Sequence, residues 1–187
     1  MGSSHSPDRL GERPRELLLF RHGIAAERAE SSADASADLR ADGERPLTAA
    51  GLSRSRAVAD QLLRLGLGAD RLLSSPLVRA RQTAEIAVAA GLASRLELDG
   101  ALAPGGDPLP LVLACRCPRL MLVGHEPDLG HLACRLLGAP AGSIQLKKAG
   151  LALIVLTPLP SLRLLLTPRL LLTLGHQPPP ACGSPPS

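Results

Sequence analysis

Residues 16–23 read ELLLFRHG: an apolar run from Leu17 to Phe20 that gives way, without a spacer, to Arg21, His22 and Gly23. So short a run, bounded by polar residues, reads as a buried strand feeding a loop. The same pattern recurs twice. Arg71–Ser74 leads into Ser75, Pro76 and Arg79, and Leu120–Val123 leads into Gly124, His125 and Glu126. Helical stretches lie between. Thr48 can cap a helix carrying Leu52, Val58, Leu62, Leu63 and Leu65, with a stop near Gly66. Pro76 opens a helix through Ala90, and Gly91 ends it. Asp107–Cys115 and Pro127–Leu137 are two further helices, the second stopped by Gly138. Arg95–Leu98 is a weaker strand, and Leu151–Leu156 with Ser161–Leu166 reads as a terminal strand pair. Ser31 to Arg45, rich in Ser, Ala, Asp and Arg without an apolar period, reads as a surface loop. Strands alternating with helices predict an α/β three-layer sandwich, a central mostly parallel sheet with helices on both faces.

The ends differ from the body. Residues 1–15 are polar and read as a flexible leader, 16–176 as the folded domain, and 177–187 (QPPPACGSPPS) as a disordered Pro-rich tail. Within 187 residues, Lys and Arg number 21 against 17 Asp and Glu, a net charge of +4. That modest balance does not mark a nucleic-acid binder, and the absence of Trp and Tyr removes the aromatic platforms on which single strands stack. Hydrophobic residues make up 45% of the chain, enough for a core. The longest apolar stretch, Leu151 to Leu174, is broken by Pro158, Pro160, Arg163, Pro168 and Arg169, so no membrane span is expected. No secretory signal is read either. Cys115, Cys117, Cys134 and Cys182 are too few and too uneven for a disulfide framework, and a reduced, cytoplasmic protein is expected. A monomer is the default expectation.

In open α/β sheets, ligands collect beyond the carboxyl ends of the strands. If the three strands are parallel neighbours, Arg21, His22, Arg79 and His125 converge on one crevice. That set suits a phosphoryl group. Arginine offers a planar fork of donors with a permanent charge. One neutral imidazole can act as nucleophile while the other donates to phosphoryl oxygens. Gly23 is expected to let the backbone approach the ligand closely.

The motifs also resemble a known family. LLLFRHGIAAE is similar to the signature of the histidine phosphatase superfamily, with its phosphoglycerate mutase-like fold, and ERPLTAAG, LLSSPLVRARQTAEIA and LMLVGHEPDLGHL resemble its later motifs in the same order. The short length and the ERPLT, LAPGGD and IQLKKAGLALI segments are most similar to SixA-type phosphohistidine phosphatases. The resemblance covers Glu16 to about Leu170. It implies that His22 attacks phosphorus and becomes phosphorylated. It implies also that Arg21, Arg79 and His125 bind the phosphoryl oxygens and stabilise transition-state charge, and that water then hydrolyses the phosphohistidine. No metal and no cofactor are implied.

Larger relatives carry an inserted acid that protonates an alcohol leaving group. Here the link from Glu97 to Asp107 is short, and Ile24 follows RHG where many relatives have a carboxylate. Among Glu97, Asp99 and Asp107, Asp107 is the candidate general acid. Imidazole leaves phosphorus more readily than an alkoxide, so a phosphohistidine on a protein, such as a phosphotransfer domain, is the expected substrate. A small phosphoester is the variant reading, and a non-catalytic phosphate-recognition module the alternative from another class.

Overall fold

The computed structural model describes residues 16–27 and 35–174. The chain runs β1 (Glu16–Arg21), α1 (Ala35–Glu44), α2 (Ala49–Arg64), β2 (Arg71–Ser74), α3 (Val78–Ala89) and β3 (Leu96–Leu98), and then, after a 3₁₀ turn at Gly100–Leu102, α4 (Leu109–Ala114), β4 (Arg119–Gly124), α5 (Asp128–Leu137), β5 (Leu151–Val155), β6 (Ser161–Leu166) and α6 (Pro168–Leu174). The expected leader and tail lie outside the described residues.

One sheet holds all six strands in the order β3-β2-β4-β1-β5-β6. The first four are mutually parallel. β5 runs antiparallel to β1, and β6 antiparallel to β5, which closes the sheet with the expected terminal pair. The register brings the three functional strand ends level. Arg21 lies beside Gly124, and Ser74 beside Val123.

The period-two alternation of strand side chains builds the layers. Leu18, Phe20, Leu72, Met121, Val123 and Leu151 face α2, α3 and α6, where they meet Val58, Leu62, Ala80, Ala84 and Leu171. Their neighbours Leu17, Leu19, Leu73, Leu120, Leu122 and Ala152 face the opposite side and meet Val112, Leu129 and Leu132 from α4 and α5. Because β1 and β4 serve both layers, they read as unbroken apolar runs, as interior parallel strands do. Each leucine fully buried there contributes about 1.5–3 kcal/mol. β6 is the outer strand, and Leu162, Leu164 and Leu165 remain exposed on it.

Two helices depart from the sequence reading. Residues 35–44, expected as part of a surface loop, form α1. The described residue that α1 buries is a carboxylate, Asp42, and not an apolar side chain, so no hydrophobic period announces the helix. α6 continues the Leu-rich segment after Pro168, where an apolar run alone does not separate strand from helix. Among the described residues, no helix is long and apolar enough to cross a membrane.

Candidate active site

His22 stands one residue past β1, and its backbone N–H donates to Gly124 O at 3.1 Å, joining the ends of β1 and β4. Its side chain is buried. Nδ1 lies 2.7 Å from the Gly23 carbonyl oxygen. A carbonyl only accepts, so Nδ1 carries the proton and Nε2 keeps its lone pair. His125, one residue past β4, sits with its ring centroid 5.0 Å from that of His22. Its Nε2 is 2.9 Å from Ser75 Oγ, just past β2. The Ser75 hydroxyl oxygen also accepts from Leu77 N–H at 3.3 Å; in the tautomer in which it donates its own proton to His125 Nε2, the imidazole proton sits on Nδ1. That Nδ1 is buried without a partner among the described residues. An unmet buried polar atom costs about 1–3 kcal/mol, and with its proton on Nδ1 the ring favours an oxygen-rich ligand there.

Both imidazoles are neutral near pH 7. Burial, chiefly, lowers His22 to about 3; the hydrogen bond to Gly23 opposes this, while His125, Arg79 and Arg21 add to it. Burial first, then the charge of Arg79, lowers His125 to about 4, with Asp42 opposing. A neutral imidazole is what a nucleophile requires.

The two arginines reach the site from different directions. Arg79 projects from the first turn of α3 and is buried. Its Nη1 donates to Asp42 O at 2.6 Å and its Nη2 to Asp42 Oδ2 at 3.0 Å. Asp42 Oδ1 is held in turn by Arg45, from Nε at 2.9 Å and Nη2 at 2.7 Å, and Arg45 Nη1 donates to Ala26 O at 2.7 Å. Thr83, one turn along α3, donates from Oγ1 to Arg79 O at 2.7 Å and accepts from Gly23 N–H at 3.0 Å. Arg21 is half-buried at the end of β1. Its Nη1 donates to Leu146 O at 2.7 Å, and its Nε is buried without a partner among the described residues. Leu146 N–H donates to Glu126 Oε1 at 2.9 Å. Burial, the largest influence, raises the Glu126 carboxyl above its ordinary range, against the pull of Leu146 N–H and Arg21.

The structure therefore brings together His22, Arg21, Arg79 and His125. Gly23 lies beside them and has a packing role that the sequence reading did not foresee. Its N–H is taken by Thr83, its carbonyl orients His22, and a Cβ there would stand 2.3 Å from Ser55 Oγ of α2. Close packing against α2 requires glycine here. The ERPLTAAG segment has a similar logic. Thr48 Oγ1 accepts from Gly51 N–H at 2.9 Å to cap α2, Thr48 N–H donates to Ile24 O at 2.9 Å, and a Cβ on Gly51 would meet Ile24 O at 2.0 Å. The segment clamps the loop that follows His22.

The expected carboxylates make their contacts elsewhere. Asp107 is exposed, accepts from Arg135 Nη1 at 2.8 Å and Leu109 N–H at 3.1 Å, and lines a hollow with Asp128 and His131. Glu97 pairs with Arg71 at 2.7 Å, and Asp99 caps the 3₁₀ turn through Ala101 N–H. Sequence reading missed Asp42, Arg45 and Thr83, because α1 gave no helical signal and a threonine inside α3 looks like any helix residue. Arg21 opens on a hollow of about 360 Å³ lined by Glu126, His131, Gln145 and Lys147. A larger hollow, about 1360 Å³, lies at the opposite end of the sheet around Glu16, Asp70 and Arg119 and holds none of the four residues.

Comparison with known proteins agrees with this geometry. The profile of the histidine phosphatase superfamily (branch 1) matches residues 17–103. An uncharacterized protein of Picosynechococcus sp. is 44% identical over 144 residues, 73% of this chain and 82% of that protein. The phosphohistidine phosphatase SixA of Escherichia coli is 31% identical over 129 residues, 65% of this chain and 73% of that protein. A solved structure of the protein histidine phosphatase SixA complexed with tungstate matches with a TM-score of 0.68 at 26% identity, covering 82% of this chain and 97% of that one. With the RHG strand end, the two arginines and the second histidine brought together, and with SixA of E. coli covered over 73% of its length, the chain belongs to the histidine phosphatase superfamily, among its SixA-like members.

Proposed function

We propose that the protein is a metal-independent phosphatase that removes the phosphoryl group from a histidine of another protein through a covalent intermediate on His22. The reaction has two displacements. The His22 Nε2 lone pair attacks phosphorus while the P–N bond to the substrate imidazole breaks, and the departing ring nitrogen takes a proton from solvent. Water then attacks phospho-His22, the P–Nε2 bond breaks, and inorganic phosphate leaves with His22 restored. Arg21, Arg79 and the His125 Nδ1–H face the phosphoryl oxygens, where charge accumulates in each transition state. With fixed guanidinium charges in that role, the chemistry needs no metal ion.

The observation that carries the substrate assignment is the state of the two carboxylates in the site's network. Asp42 is bound to Arg79 and Arg45. Glu126 accepts from Leu146 N–H with one oxygen and lies against Gly130 with the other. Both serve to place arginines, Asp42 by direct contact with Arg79 and Glu126 through Leu146, whereas imidazole leaves without a placed acid. General-acid assistance is worth about 10²- to 10⁴-fold, so phosphohistidine and phosphoramidates should outrun alkyl phosphates by about that factor. The name of the E. coli relative points the same way. Such a role suits a cytoplasmic protein with free thiols at Cys115, Cys117 and Cys134.

The test is a comparison of kcat/KM on a phosphohistidine protein, a phosphoramidate, a series of aryl phosphates and alkyl phosphates. The expected result is that order of rates, with a steep fall as the phenol pKa rises. A flat series with fast alkyl phosphate hydrolysis would assign the enzyme to small phosphoesters. Phosphate binding without any turnover would make it a recognition module.

A further inference from the structure

Leu146 lies between α5 and β5 in a segment without helix or strand, so no ladder of backbone bonds fixes its orientation. It is nonetheless the residue on which Arg21 rests. Its carbonyl accepts from Arg21 Nη1 at 2.7 Å, and its N–H donates to Glu126 Oε1 at 2.9 Å. The two bonds grip one residue from both sides of its Cα. The Glu126 carboxylate is itself seated on α5. A Cβ on Gly130 would stand 2.8 Å from Glu126 Oε2 and 2.5 Å from Ile144 O, so the bare glycine admits both the carboxylate and the segment it holds.

We infer that Glu126 is a positioning residue: through the Leu146 backbone it sets the direction of the Arg21 guanidinium, and Gly130 provides the space that makes this possible. The inference rests on the reading of Arg21 as a phosphoryl ligand. Glu126 follows His125 directly, so the strand end that supplies one phosphate-facing group also orders the other. The contact that matters is acceptance of a hydrogen bond, which an amide oxygen can also supply. Among the described residues, the Leu146 carbonyl is the hydrogen-bond acceptor that orients Arg21.

The experiment measures kcat/KM on an aryl phosphate, and the affinity for inorganic phosphate, for Glu126→Ala, Glu126→Gln, Gly130→Ala, Arg21→Ala and the double variant Arg21→Ala/Glu126→Ala. Misplacement of a binding group by about 1 Å costs on the order of 10²-fold, so Glu126→Ala should lose about 10- to 100-fold in kcat/KM and bind phosphate more weakly. Glu126→Gln should stay within about threefold of the parent, because its carbonyl oxygen keeps the bond to Leu146 N–H. Gly130→Ala should fall in the direction of Glu126→Ala with Glu126 intact, which keeps the test sound if Glu126→Ala folds poorly. In the Arg21→Ala background, Glu126→Ala should change activity by less than about twofold, the signature of residues acting as one unit. Additive losses would overturn the inference, as would a Glu126→Ala enzyme equal to the parent or a Gln variant as poor as Ala. A parent protein that binds phosphate but turns over nothing would count against the functional reading alone, since phosphate affinity across the same variants still reads the position of Arg21.

Discussion

The two arginines of the site are held in opposite ways. Arg79 is buried on a helix and is locked to another side chain, with the Asp42 carboxylate and carbonyl taking two of its nitrogens. Arg21 is half-buried at a strand end, and its Nη1 donates to a backbone carbonyl. The difference is one of charge as much as of geometry. Asp42 offsets part of the field of Arg79, and Arg45 restores part of it, so that side of the site is a balanced ionic cluster. Among the described residues, Arg21 has Glu126 as the carboxylate whose charge acts on it, through space and not through a direct bond. Burying a guanidinium requires a partner, whereas a half-exposed one can leave its charge to the ligand.

The largest effect lies where the two arms meet. His22→Ala should abolish both turnover and the acid-labile phosphoenzyme, with little change in Tm; a phosphoenzyme that persists would place the nucleophile elsewhere. Next come the arginines. Each replacement by Ala should cost on the order of 2–4 kcal/mol of transition-state stabilisation in kcat/KM. Thermal unfolding should separate them. Arg79→Ala leaves Asp42 short of a buried partner and should cost a further 1–3 kcal/mol or so of stability, while Arg21→Ala should leave Tm nearly unchanged. Equal Tm losses would erase the contrast between the arms.

A smaller effect is expected from acid. His22 and His125 take up protons only near pH 3 and 4 when folded, but near 6.5 when unfolded. Between those values the unfolded chain binds more protons, so stability rises with pH through that window and is lost as pH falls from about 6.5 toward 4. His125→Asn should flatten that slope in denaturant titrations followed across pH, and an unaltered slope would mean that His125 is not held neutral by burial. Smallest of all, a chelator should leave kcat unchanged, as guanidinium charges need no metal; loss of activity restored by a divalent ion would refute metal independence.

Much of this arrangement was legible in the sequence, for a specific reason. β1 and β4 are buried on both faces, so they appear as unbroken apolar runs whose ends can be read to within one residue, and His22 and His125 follow at once. Arg79 was legible because the helix start after Pro76 fixes its place in the first turn of α3. The supports were not legible. Asp42 holds Arg79 from a helix whose described buried side chain is polar, and hydrophobic periodicity is silent about such a helix. The Arg21 support is a backbone atom 125 residues away, and a carbonyl carries no residue identity for a sequence to reveal. Asp107 looked close to the site in the chain, yet its ion pair with Arg135 takes it into another hollow.

The hydroxyl of Thr83 joins the backbone next to His22 to the backbone of Arg79, accepting from one and donating to the other. It works as a rivet between two parts that would otherwise be free to breathe separately. In the proposed reaction, His22 and Arg79 would then keep a constant spacing, and adaptation would fall to the incoming molecule. A phosphoryl group borne on a long, exposed and pliable side chain can make that adjustment at little entropic expense, whereas one recessed in a rigid surface cannot.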